Sequence, residues 1–340
     1  MNYKFAVDLV LSCHHFEVCY NRAMQSRVFW LLSSFVGAFI LAVCATKADD
    51  FSETSTNSWP CYSLTAEKIW QLNSPNHERF DASGLVLQKN EQLLTVNDRG
   101  AEIYKIEFST NADSANLVLV TNCFTDAQLA PFAKEKIGRY DCEGVAQDKQ
   151  GRIYLCEEAN RWILRFDPKT KKVDRLPIDW SPVKKYFLPG DLNASFEGIA
   201  IGDGKLFVAN ERQRGRIIVL DLKTLKILDD FTVRPSKTKM QDIHYSDLCW
   251  FDGALFALLR ENRVVVKIDP KQKCVLAEYN FHAMEQADDL AYRVAYPTST
   301  MEGLAVDKKY FYLVTDNNGW GRKAFPNDRR PTLFKCKRPD

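Results

Sequence analysis

Acidic side chains recur in this chain in one local setting. Glu143, Glu197 and Glu302 each stand directly before a glycine, and Asp247 stands before Leu248 in a segment of the same type. A further acid follows 14 or 15 residues later as Glu158, Glu211, Glu261 and Asp316, and Asp98 fills this place behind Ser83. Carboxylates carried to one point repel one another and hold on to protons, and a hard cation removes the conflict. Calcium accepts about six to eight oxygens in loose geometry, which suits acids drawn from separate segments. Glu143, Glu197, Asp247 and Glu302 are therefore candidate calcium ligands. The alternative use of the same acids is structural, each accepting backbone N–H bonds and docking one segment on the next.

Arginines accompany the second set of acids. Arg99 abuts Asp98, Arg161 lies three after Glu158, Arg212 follows Glu211, and Arg260 precedes Glu261. Guanidinium groups beside a carboxylate-held cation suit a small anionic ligand or ester substrate, bound through phosphate or carboxylate. A surface lattice of ion pairs would leave the same pattern. His244, three residues before Asp247, is a candidate general base, and Glu158 and Glu211 are candidate catalytic carboxylates. The alternative for His244 is a loop histidine without a chemical role. The sequence contains neither a Gly-x-Ser-x-Gly nucleophile elbow nor a P-loop.

The elements that position these residues are repeats. Segments beginning DASGLVL at Asp81, DCEGVAQ at Asp141, SFEGIAI at Ser195, YSDLCWF at Tyr245 and TMEGLAV at Thr300 share one grammar. Each has a short apolar strand, a turn, a second strand ending near an acid, and a third strand often closing on Asp-Pro. Gly84, Gly144, Gly198, Leu248 and Gly303 mark equivalent places 60, 54, 50 and 55 residues apart. Short alternating strands at this period predict an all-β fold, a β-propeller of five blades, with six as the alternative. The inner strands then line a central channel and gather the acids about its axis. The last repeat lacks an outer strand, which the segment from Tyr62 to Leu72 can supply to close the ring. On that closure Cys61 and Cys336 lie on neighbouring strands and can form a disulfide. Residues 282–295 read as a helical insertion.

Composition excludes several classes. The 340 residues carry 46 basic and 44 acidic side chains, a formal charge of +2, which leaves no electrostatic footprint for nucleic acid. Hydrophobic residues at 46% and charged residues at 26% exclude a disordered chain. Residues 28–45 carry no charge and follow Arg27, so residues 1–48 read as an export segment and residues 49–340 as one propeller domain. Val43 and Ala45 suit a cleavage site, Met24 suits a start, and residues 1–23 then precede the mature reading frame. The expected location is secreted or periplasmic, and the alternative is a membrane anchor formed by residues 28–45. Seven cysteines lie beyond this segment without a CxxC pair, which argues against zinc and leaves an odd thiol if the others pair. Asn193-Ala194-Ser195 is a glycosylation sequon. The chain is expected to act as a monomer.

The repeated DCEGVA, SFEGIA and MEGLAV, each followed by a strand ending in Glu-Glu, Asn-Glu or Asp-Asn, resembles the phytase-like propellers, labelled "esterase-like activity of phytase" and related to the SdiA-regulated propellers. The resemblance spans roughly Asp81 to Asp316 and implies an exported propeller with a calcium site and hydrolytic activity on phosphate or carboxylic esters. Its motif acids fall on Glu143, Glu197 and Glu302. Ser83 and Asp247-Leu248 depart from the motif and break the acidic ring. Gluconolactonase-like, regucalcin-like and apyrase-like propellers are the neighbouring readings, and a propeller that binds a protein or glycan without turnover is the non-enzymatic one.

Overall fold

In the computed structural model, residues 59–109, 113–132, 140–188, 190, 195–211, 215–236, 243–295 and 298–340 are described. The expectations for residues 1–58, Arg212 and the acceptor Asn193 fall outside them. Two leading strands, β1 (Cys61–Ser63) and β2 (Ala66–Asn73), precede a series of antiparallel meanders. The first contains β3 (Ala82–Leu87), β4 (Leu93–Asn97), β5 (Ile103–Phe108) and β6 (Ser114–Leu119). The second contains β7 (Cys142–Gln147), β8 (Ile153–Glu157), β9 (Trp162–Asp167) and β10 (Lys172–Arg175). The third contains β11 (Phe196–Gly202), β12 (Lys205–Asn210), β13 (Arg216–Asp221) and β14 (Ile227–Phe231). The fourth contains β15 (Tyr245–Phe251), β16 (Ala254–Leu259), β17 (Val264–Asp269) and β18 (Cys274–Asn280). The last contains β19 (Met301–Val306), β20 (Tyr310–Thr315) and β21 (Thr332–Lys337).

Alternation along each strand gives every meander two apolar faces, and each face must be covered by a neighbour. Among the described residues the apolar clusters are shared pairwise by successive meanders. Leu155 of the second packs with Val96 of the first, and Phe207 of the third packs with Leu255 of the fourth. Val314 of the last packs with Leu85 of the first, so the ring closes and the fold is an all-β propeller.

The N-terminal strand makes the closure. β2 pairs antiparallel with β21, with Ile69 opposite Phe334, and completes the last meander as expected from the sequence. It also pairs parallel with β6, with Gln71 opposite Ser114, so the last and first meanders become one eight-stranded sheet. β1 runs on to a third meander and pairs parallel with β18, placing Cys61 opposite Glu278. This overturns the expected disulfide. Cys61 is exposed on that edge, whereas Cys336 is buried with its Sγ 3.4 Å from Met284 Sδ, and all seven described cysteines are free thiols. In the 282–295 segment only His282–Glu285 is α-helical, a single turn.

Every inner strand carries a register irregularity within one residue of the same place, between Ser83 and Leu85, Cys142 and Gly144, Phe196 and Ile199, Tyr245 and Asp247, and Met301 and Gly303. Such bulges re-aim a side chain, and here they press the inner strands together at the axis. A Cβ on Gly144 would lie 2.7 Å from the Glu197 carbonyl oxygen and 2.9 Å from Gly198 Cα, and one on Gly198 would strike the backbone of Asp247. These glycines are set by space. Gly144→Ala is expected to destabilise the protein by about 1–3 kcal/mol, the usual range for overpacking. An unchanged urea midpoint would show that the inner ring can expand.

Candidate metal centre

The strand registers put the meanders in a common frame. The first paired residue of each inner strand faces the end of its second strand: Ala82 faces Asn97, Cys142 Glu157, Phe196 Asn210, Tyr245 Leu259, and Met301 Thr315. One step further along the inner strands stand Ser83, Glu143, Glu197, Ser246 and Glu302. One step beyond the second strands stand Asp98, Glu158, Glu211, Arg260 and Asp316. One step before the inner strands stand Asp81, Asp141, Ser195, His244 and Thr300. The carbonyls of Asp81, Asp141, Ser195 and Thr300 accept from the N–H groups of Asp98, Glu158, Glu211 and Asp316 at 2.8–3.0 Å, so these two sets are locked together.

Two residues of the fourth meander therefore differ from the sequence reading. Asp247 occupies the glycine place, and Ser246 takes the place of the acid. The Asp247 carboxylate is wholly buried and accepts from three backbone N–H groups, of Leu304 at 2.7 Å, Leu248 at 2.8 Å and Leu85 at 3.1 Å. Burial pushes its pKa up, while those three donors favour the ionised form. A carboxylate so engaged docks β15 on β19 and β3. The second correction concerns Arg260, which stands where the other meanders have an acid; Glu261 lies one residue further on. The periodicity of the acids hid this, because Arg260 and Glu261 are adjacent.

Arg260 governs one side of the mouth. Its guanidinium donates to Glu302 Oε1 and, at 2.8 Å, to Glu211 Oε1, and its Nε lies 3.6 Å from Glu261. Burial opposes its charge, but Glu302, Glu197 and Glu211 outweigh burial and hold it protonated. Arg260 is thus an internal counter-ion, with Glu302 and Glu211 as its partners. Even so, burial lifts the Glu302 pKa to about 7. His244 Nδ1 lies 3.9 Å from Glu211 Oε1. Glu158 accepts from the Ser195 N–H at 3.1 Å.

Two groups of three carboxylates can each bring ligand atoms within 4.8 Å of one another. Glu158, Glu197 and Glu211 are buried, whereas Asp98, Asp141 and Glu143 are half-buried. Glu143 Oε2 accepts from the Ser83 hydroxyl at 2.8 Å, which orients it. Burial raises the pKa of Glu143, and Glu158 and Asp98 add to the rise. Burial raises Glu197 too, with Glu211 and Glu143 contributing and Arg260 opposing. These donor sets contain only hard oxygens, which fit a divalent cation of the calcium or magnesium type and not a thiolate- or imidazole-bound metal.

The remaining predicted arginines do not converge. Arg99 reaches Asp81 at 3.8 Å, and Arg161 lies over the Phe187 ring at 4.6 Å. Sequence reasoning missed Asp81, Asp141 and Arg79. The first two repeat at the same offset, two residues before Ser83 and Glu143, which is a signal available in the sequence. Arg79 Nε donates to the buried Asp81 at 2.9 Å.

A β-propeller whose channel mouth is lined with carboxylates from successive blades is the class that the fold and site define. The chain belongs to the family described as "Phytase-like: Esterase-like activity of phytase", which matches residues 81–319. Among solved structures, the glutaminyl cyclase of Myxococcus xanthus superposes with a TM-score of 0.54 and 14% identity, over 82% of this chain and 97% of that one. A PQQ-bound aldose sugar dehydrogenase from Streptomyces coelicolor gives a TM-score of 0.42 and 12% identity, over 82% of this chain and 100% of that one. At 14% identity the likeness to the cyclase is one of fold. No curated protein matches. Among the described residues no helix is long and apolar enough to cross a membrane.

Two predictions follow the electrostatics of the mouth. Glu302, whose pKa is lifted from 4.5 to about 7, holds more proton in the folded than in the unfolded chain, so it favours folding more as pH falls through that interval. Without divalent cation the melting temperature is expected to be higher at pH 5.5 than at pH 8, and the opposite order would contradict the burial of these acids. Arg260→Met removes the shared counter-ion of Glu197, Glu211 and Glu302 and is expected to cost about 3–5 kcal/mol by denaturant unfolding, the usual effect of breaking a buried pair.

Proposed function

We propose that the protein is an exported, calcium-dependent hydrolase of phosphate or carboxylic esters acting at the channel mouth. The observation that carries this reading is the half-buried group Asp98, Asp141 and Glu143, whose oxygens come within 4.8 Å of one another. Family membership supports it. A divalent cation bound there would polarise the ester and lower the pKa of a coordinated water. The chain's own residues do the remaining work: Ser83 holds Glu143 in place, Glu211 faces the His244 imidazole, and His244 is assigned the proton transfer. Arg260 holds Glu211 and Glu302 in place through its guanidinium bonds. The non-enzymatic reading, in which the acids only dock blades, is favoured by the engagement of Asp247 with three backbone N–H groups.

Thermal unfolding in EDTA and then in calcium tests the centre. Calcium at 100 times its dissociation constant is expected to add about 2.7 kcal/mol to stability. Glu143→Gln and Asp98→Asn should remove that gain and the hydrolysis of p-nitrophenyl phosphate or p-nitrophenyl acetate, while the fold persists. No calcium response in the native protein would leave the acids as docking groups.

A further inference from the structure

Beside the mouth, and separated from it by the Arg79–Asp81 pair, lies a cleft of about 820 Å³ between the β2–β3 connection and the β20–β21 connection. Its charge is opposite to that of the channel. Four arginines line it, Arg79, Arg293, Arg329 and Arg330, against two acids, Glu78 and Asp328. Asp328 is already committed: Arg322 and Arg330 bond to it at 2.6 and 2.7 Å and hold its pKa down at about 2. Among the described residues two of these guanidiniums have no carboxylate partner. Among the described residues the Arg293 guanidinium donates only to the Lys323 carbonyl, at 3.2 Å, and the Arg329 guanidinium bonds to none.

The cleft is held in shape from below. Asn317 is fully buried, and its side-chain NH₂ group donates to the Trp320 carbonyl at 2.6 Å and to the Arg329 carbonyl at 2.9 Å, tying the two walls together. Gly319 has φ +70, and a Cβ there would come within 3.0 Å of Arg79 Cδ, so that arginine passes directly over the turn. The Arg293 N–H donates to the Gly321 carbonyl at 2.9 Å, which fixes the base of the third arginine. Trp320 is 45% exposed on this wall and offers an uncovered indole. Guanidinium forks pair bidentately with phosphate, and several of them can share the oxygens of a dianion, whereas a carboxylate has only two oxygens to offer. An exposed indole beside them gives an attached ring a stacking surface.

We propose that this cleft binds a phosphomonoester, with its phosphate on Arg293 and Arg329 and its ring on Trp320. Binding here does not depend on hydrolysis at the channel mouth. Isothermal titration of the full chain in EDTA with phenyl phosphate, inorganic phosphate and benzoate as probes tests it. Phenyl phosphate is expected to bind more tightly than either of the others. Arg293→Gln and Arg329→Gln, both at exposed side chains, should each weaken it by about tenfold, one charge-assisted bond. Trp320→Leu should weaken phenyl phosphate and leave inorganic phosphate unchanged. The channel variant Glu143→Gln should bind phenyl phosphate as the native protein does, which separates this site from the metal centre. Absence of phenyl phosphate binding at millimolar concentration, tighter binding of benzoate, or undiminished affinity in the Arg293→Gln/Arg329→Gln double variant would overturn the proposal.

Discussion

The close approach of the inner strands at the axis controls the rest of this molecule. A bulge at one place in every inner strand brings successive backbones so near that four of the five axial positions are glycine, and the fifth carries the Asp247 carboxylate. Strands that meet this closely deliver their flanking side chains to one small space. Nine carboxylates, Asp81, Asp98, Asp141, Glu143, Glu158, Glu197, Glu211, Glu302 and Asp316, stand in the fifteen places around the mouth. The crowding of charge is a consequence of the packing and has to be relieved locally.

Relief comes in two ways. On the side of the third to fifth meanders, Arg260 substitutes a guanidinium for an acid and bonds to Glu211 and Glu302. On the side of the first and second meanders, Asp98, Asp141 and Glu143 remain grouped and half-buried, with a neighbouring hydroxyl on Glu143. The asymmetry matters chemically, since a fully acidic ring would offer its oxygens on the axis, whereas this arrangement groups them to one side of it. The arginine cleft lies against the first and last meanders, so opposite charges border one another along the Arg79–Asp81 pair.

The propeller, its repeat boundaries and its closing strand were legible in the sequence because each rests on alternation and period, which are local. The acids Glu143, Glu197 and Glu302 were legible for the same reason. Asp247 and Arg260 were misread by one residue each, because the frame there is set by strand register, and an acid adjacent to the true position imitates the motif. The disulfide expectation failed on topology: the sequence places Cys61 five residues before Ala66, the register partner of Cys336, but β1 departs from β2 and joins another meander. Arg293, Trp320 and Arg329 carry no repeat signal at all, since they sit in connections that differ from one meander to the next.

The seam at β2 has a consequence for how the molecule is made. β2 is synthesised before any of the meanders, yet its partner β21 emerges only after β20, with Ile69 waiting for Phe334. Until then the ring is open, the apolar face of β21's meander is bare, and β2 can rest only against β6. Pairing at such sequence separation is slow and leaves edges exposed in the meantime. A chain broken off before β21 has no means of closing. An interrupted copy therefore keeps the edges of β2 and β20 uncovered, and bare strand edges are open to pairing with other chains.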